Sequence, residues 1–273
     1  MSLKVLDPSD LSAGEAADAL EAALAELDPE ATTPRSALPV GEGHLLVMPA
    51  VVGPVAAVKL VSVGPSEPRI QGVCVVFDAT TLAPAALVDG IALTNLRTAA
   101  VSLVAVRRLA VPEPRRAVIF GRGPQAHAHA EALAISDTVL LGRDDPRRDE
   151  LVAAADVVCC CTTSHEPLFD GDLVPDHACI VAIGSHEPAA RETDDALAAR
   201  ATVVVESRTS ALREAGDVIA AIEAGVLQPD ELITLRELVA GAAVPPGPRL
   251  FKSTGMAWED AVVAGALYSG RER

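Results

Sequence analysis

The chain has 273 residues, 50 % of them hydrophobic, and a formal net charge of −16. That length allows one large or two modest domains, and so large an acidic excess excludes nucleic acid and anionic membrane as electrostatic partners. With 2 % aromatic residues, Ala, Val and Leu must fill the core, and little remains for stacking on bases. No apolar run approaches the roughly 18 residues of a membrane span, and Met1-Ser2-Leu3-Lys4 does not read as a signal peptide, so a cytoplasmic protein is expected.

Residues 13–27 (AGEAADALEAALAEL) predict an amphipathic helix, with Leu20, Leu24 and Leu27 on one face and acids on the other. Short apolar runs at 45–48, 55–63 and 72–77, separated by Gly and Pro, predict an antiparallel sheet. A helix of small and branched residues follows at 93–109, carrying Arg97, Arg107 and Arg108. After the hinge Pro112-Glu113-Pro114 the pattern changes. Apolar runs at 117–120, 138–141, 157–161, 180–183 and 203–205 mostly alternate with helical stretches, the signature of βαβ units and a parallel sheet. A final helix is predicted at 256–268. Cys159-Cys160-Cys161 lies within one strand, where alternate side chains face opposite ways and cannot share a metal. The five cysteines therefore read as small buried hydrophobes in a reducing compartment, and no metal site is expected.

The most specific segment is Phe120-Gly121-Arg122-Gly123-Pro124-Gln125-Ala126, which is G-x-G-x-x-A between a predicted strand and a predicted helix. Gly121 permits the tight turn, Gly123 lets backbone N–H groups approach a pyrophosphate, and Ala126 lets helix and strand pack closely. One interval is abnormally short. A full dinucleotide fold needs helix, strand and helix between its second and fourth strands, yet residues 143–155 hold a single helix. The third strand is therefore expected to be missing, leaving the sheet to end at 138–141 and the adenine end of the site open.

Several further motifs join this turn: Val88-Asp89-Gly90, Thr94, Arg97-Thr98-Ala99-Ala100, Arg35 after Pro34, Met48-Pro49-Ala50 and the strand of Lys59. Cys161-Thr162-Thr163-Ser164, Gly184-Ser185-His186-Glu187-Pro188, Glu214-Ala215-Gly216-Asp217 and Phe251-Lys252-Ser253-Thr254-Gly255 complete the set. Together they resemble the ornithine cyclodeaminase/mu-crystallin family over nearly the whole chain. The resemblance implies an α/β protein. Its Rossmann-like dinucleotide-binding domain, at 113–247 and truncated, would be inserted into an α+β substrate and dimerisation domain at 1–112, to which 248–273 return. It implies a homodimer acting on small α-amino or α-imino acids. Arg35, Lys59 and Arg97 would bind the substrate, with Lys59 also catalytic. Thr98, Gly121, Gly123, Pro124, Gln125, Arg143, Thr162, Thr163 and Ser253 would bind the cofactor.

The departures narrow the reaction. Cyclodeaminases carry Asp and Lys in a G-x-D-x-P-G-K motif, and here those positions are His186 and Ala190. Loss of the carboxylate counts against ring-closing deamination and favours the mu-crystallin and ketimine-reductase branch, with His186 a candidate proton donor. The expected activity is NAD(P)H-dependent reduction of a cyclic imino acid. Ornithine cyclodeamination, amino-acid dehydrogenation and silent small-ligand binding are the alternatives. Arg143, just beyond the second strand, favours NADP(H) over NAD(H), while Asp144 and Asp145 could instead take the ribose hydroxyls.

Overall fold

The computed structural model describes residues 3–142 and 144–270. In chain order the elements begin with β1 (Lys4–Leu6), α1 (Ala13–Glu26), β2 (Ser36–Val40), β3 (Gly43–Val52), β4 (Val55–Val63), β5 (Ile70–Asp78), β6 (Pro84–Asp89) and α2 (Gly90–Leu109). There follow β7 (Arg116–Phe120), α3 (Pro124–Leu133), β8 (Asp137–Leu141), α4 (Arg148–Ala153), β9 (Val157–Cys160), β10 (Cys179–Ala182), α5 (Asp195–Arg200) and β11 (Thr202–Val205). The chain closes with α6 (Arg208–Glu214), α7 (Gly216–Glu223), β12 (Ile233–Thr234), α8 (Leu235–Val239), β13 (Arg249–Lys252) and α9 (Ala257–Gly270). No helix of the described residues is long and apolar enough to cross a membrane.

Two compact units emerge, one holding the chain up to Val101 and again from Met256, the other Ser102–Gly255. In the first unit the strand order is β1-β6-β5-β4-β3-β2, antiparallel throughout except for β1 beside β6. α1 starts on a full capping box, Ser12 accepting from Glu15 N while Glu15 accepts from Ser12 N. In β4 the odd residues Val55, Ala57, Lys59 and Val61 face inward and the even ones stand half-buried, the period-2 alternation of a one-sided strand. α9, buried on nearly every side from Ala257 to Ala264, lies against β3, β4 and β5 and touches α1.

The second unit is a wholly parallel sheet, in the order β12-β11-β13-β10-β9-β7-β8. Its central strands β9 and β10 are buried along their whole length, as strands covered by helices on both faces must be. β8 is the edge, and no strand lies beyond it among the described residues; the short α4 occupies the span where a third strand would have formed. One expectation is corrected. The segment from 248 does not leave this unit at once, because β13 inserts between β10 and β11, and the return comes at Met256. The four cysteines Cys74, Cys159, Cys160 and Cys179 are buried free thiols, and Cys161 is half-buried. Burial pushes the Cys74 and Cys179 thiols up to about 12, which makes them poor nucleophiles.

Candidate active site

In the first unit the strand register sets up the chemistry. Leu6, Val88, Cys74, Lys59 and Met48 lie opposite one another in a single row across the sheet. Every other member is apolar and buried, so a lysine 2 % exposed in that row needs a partner. α9 supplies it. Lys59 Nζ donates to Asp260 Oδ1 at 2.8 Å and to Thr94 Oγ1 at 3.1 Å, and Thr94 in turn donates to the Gly90 carbonyl. Arg97 on α2 donates through Nη1 to Glu259 Oε2 at 2.6 Å, and its Nε lies 3.4 Å from Asp260 Oδ1. Two cations and two anions thus form a neutral buried quartet, with Asp260 between Lys59 and Arg97. Burial pushes the Lys59 ammonium below its usual range, and Arg97 adds to this while Asp260 and Glu259 oppose it. Asp260 Oδ2 is buried without a hydrogen bond among the described residues.

Arg35 stands half-buried one residue before β2. Ser36 pairs with Val47, and Met48 with Lys59. Continued by one residue, that register places Arg35 in the same row as Lys59, two strand spacings or about 10 Å away. Thr98 follows Arg97 on α2 and is buried. Glu259 and Asp260 were not anticipated, although two acids in an otherwise apolar helix are themselves a signal, since buried carboxylates require partners.

In the second unit the chain runs from β7 outward to β8 and then returns to β9 on the other side. The strand order reverses there, and ligands of open α/β sheets bind beyond the strand ends at such a point. Gly121 has φ +115, and a Cβ on it would lie 2.6 Å from the Cys161 carbonyl oxygen. Gly121→Ala should therefore lower the unfolding free energy by about 1–3 kcal/mol in a urea titration; an unchanged midpoint would show that the turn relaxes freely. Gly123 is the N-cap of α3, Pro124 follows at the first turn, and no side chain caps the helix. A Cβ at Gly123 would meet nothing within 4 Å. Open space before uncapped helical N–H groups is a fitting cradle for a pyrophosphate. Gln125 lies in the first turn.

Beside the turn is a cavity of about 310 Å³ lined by Phe120, Gly121, Arg122, Leu141, Gly142, Thr162, Thr163 and Leu168. Thr162 is fixed by Glu192, whose Oε1 accepts from the Thr162 N–H and hydroxyl, each at 2.8 Å, while Oε2 accepts from Gly184 N at 2.8 Å. Asp217 accepts from Glu192 N, Thr193 N, Thr193 Oγ1 and Ser185 Oγ, and Lys252 Nζ lies 3.0 Å from its Oδ2. Burial raises the Glu192 carboxyl to about 7, with Asp217 adding to the rise and Lys252 opposing it. Burial works against Asp217 too, but Lys252 and the two N–H donors outweigh it and hold that carboxyl at about 2.

Ser253 donates to Glu206 Oε1 at 2.6 Å, and Thr254 N and Gly255 N donate to Glu206 Oε2, so the Ser253 proton is committed to the carboxylate that follows β11. His186 is exposed on the loop after β10, and Ala190 is buried. Asp145 is already gripped by Arg147, through Nε at 3.0 Å and Nη2 at 2.8 Å. Arg143 lies outside the described residues.

The sequence model of the ornithine cyclodeaminase/mu-crystallin family matches residues 5–139 and 146–272. Ketimine reductase mu-crystallin of Rattus norvegicus is 33 % identical over 266 residues, covering 86 % of this chain and 83 % of that protein. Delta(1)-pyrroline-2-carboxylate reductase 2 of Burkholderia ambifaria is 31 % identical over 250 residues, covering 80 % and 78 %. Among solved structures, Thermococcus litoralis Delta(1)-pyrroline-2-carboxylate reductase in complex with NADH and L-proline superposes with a TM-score of 0.87. It is 27 % identical, covering 98 % of this chain and 97 % of that one. With two parallel-sheet and antiparallel-sheet units, a glycine turn at the strand reversal and these relatives in agreement, the chain belongs to the ornithine cyclodeaminase/mu-crystallin family.

Proposed function

We propose that the protein reduces a small cyclic imino acid, of the pyrroline- or piperideine-2-carboxylate type, to the corresponding amino acid with NADPH or NADH. The observation that carries this reading is the pairing of Lys59 and Arg97 around Asp260 on the buried face of the first sheet. Reduction of C=N needs a held carboxylate, a proton for nitrogen and a hydride for carbon. Arg97 and Arg35 are the forks for the carboxylate. An ammonium has three protons. Asp260 and Thr94 take two of those on Lys59 among the described residues, and the third serves the imine nitrogen. Burial, by lowering the Lys59 pKa, eases that transfer. A reduced nicotinamide, when bound, supplies the hydride, and Gly121, Gly123, Pro124, Gln125, Thr162 and Thr163 are the residues that would hold the dinucleotide.

His186 and Ala190 stand where a cyclodeaminase has its Asp and Lys, which supports reduction over ring-closing deamination. The same reading takes NADPH as the preferred form and a cytoplasmic homodimer as the working state. The dimer is supported by the sheet edge β2, where Leu38 and Val40 are each 58 % exposed, an apolar edge suited to cover by a second copy. The test is to mix protein with NADPH or NADH and each cyclic imino acid and to follow nucleotide oxidation and amino-acid formation. Stoichiometric turnover of at least one imine is expected. Ammonia release from ornithine without net nucleotide change, or binding without any turnover, would replace the reductase by a cyclodeaminase or by a ligand-binding protein.

A further inference from the structure

We propose that Arg122, inside the glycine turn, is the residue that selects the 2′-phosphate of NADPH, a specificity that rests on the dinucleotide reading above. A protein that selects the unphosphorylated nucleotide sets a carboxylate at the end of its second strand to accept the ribose hydroxyls. Here that position, directly after β8, is Gly142. The Arg122 guanidinium lies flat against it: a Cβ built on Gly142 would be 3.7 Å from Nη2, 3.8 Å from Cζ and 3.9 Å from Nε. Three nearly equal distances mean that the plane, not an edge, faces the glycine, in ordinary van der Waals contact.

The surroundings agree in charge. Among the described residues that line the cavity, Arg122 is the single charged one and none is an acid. Asp145, the neighbouring carboxylate that could compete for a ribose, is engaged by Arg147 at its side chain and backbone, and the charge of Arg122 acts on it only as the smallest of the influences that lower its pKa. Arg122 is exposed, so its fork remains within reach of a ligand. Because β8 is the edge of the sheet among the described residues, no further strand walls this end, and recognition there must lean on charge more than on apolar contact. A guanidinium pairs bidentately with a phosphate, whereas a bare 2′-hydroxyl gives it only a weak neutral acceptor.

The proposal is tested on the nucleotide-free protein by titration calorimetry with NADPH, NADH, 2′,5′-ADP and 5′-ADP, for the native chain, Arg122→Ala, Arg122→Lys and Arg143→Ala. The native protein should bind NADPH and 2′,5′-ADP about tenfold or more tightly than their unphosphorylated counterparts. Arg122→Ala should weaken both phosphorylated ligands by about 10- to 100-fold, the loss of a charged hydrogen bond, and leave NADH and 5′-ADP within about twofold. Arg122→Lys should fall between, since it keeps the charge and loses the fork. Equal losses for both ligand pairs, a loss confined to Arg143→Ala, or a native protein that prefers NADH would each overturn the assignment. Intact discrimination of 2′,5′-ADP with no imine turned over would instead sink the reductase reading and leave Arg122 in its role.

Discussion

Lys252→Met is expected to lower the unfolding free energy by about 3–5 kcal/mol at pH 8, the usual cost of removing one partner of a buried ion pair. Lys252 is 1 % exposed, 3.0 Å from Asp217 Oδ2 and 2.9 Å from Ser185 Oγ. Its removal leaves Asp217 and Glu192 as two buried carboxylates without the cation that acts on both of them. Urea midpoints measure the loss, and a change below about 1 kcal/mol would mean that backbone N–H groups alone satisfy both acids.

The same network sets a pH dependence whose sign follows from the two carboxyls. Glu192 titrates near 7 in the folded protein against an ordinary carboxylate value near 4.3 when unfolded. The folded state therefore holds a proton that the unfolded state has released, and stability falls as pH rises through that window, by at most about 4 kcal/mol. Asp217, held at about 2, contributes above the ordinary aspartate range and loses its contribution as pH falls toward 2. The two windows meet at about pH 4–5, where the network contributes most. Glu192→Gln should flatten the fall between that point and neutrality, and an unaltered slope in the variant would assign the fall to other groups.

What could be read from the sequence divides along physical lines. The 55–63 run is β4 residue for residue, because an apolar run bounded by Gly53-Pro54 and Gly64-Pro65 is a strong local signal. The missing third strand was legible as a count: too few residues between two apolar runs. β2 and β6 escaped because Pro39 and Pro84 and their short, exposed or mixed faces mask the period. β13 escaped because Phe251 and Lys252 were read for their motif, and four residues carry no periodicity. The quartet was half legible. Lys59 is abnormal on an inward strand face, but its partner Asp260 lies 201 residues away and Arg97's partner Glu259 lies 162 away. No local pattern encodes such pairs; the sheet register and α9 bring them together.

That quartet carries the other large effect. Arg97→Ala is expected to lower kcat/KM for imine reduction by about 2–5 kcal/mol of transition-state stabilisation, because the substrate carboxylate loses its buried fork. The same change also strands Glu259, which is fully buried and 2.6 Å from Arg97 Nη1, so reduced activity alone does not distinguish a lost fork from a weakened fold. The double variant Arg97→Ala/Glu259→Gln separates the two. Removing the acid together with its partner relieves the uncompensated charge, so the double variant should regain most of the lost unfolding free energy in urea. Its kcat/KM should stay low, because neither change restores a carboxylate fork. Arg97→Lys should recover only part of the activity, since an ammonium offers charge without two parallel N–H donors. Recovery of kcat/KM along with stability in the double variant would reduce Arg97 to a structural partner of α9 and leave Lys59 and Arg35 to bind the substrate.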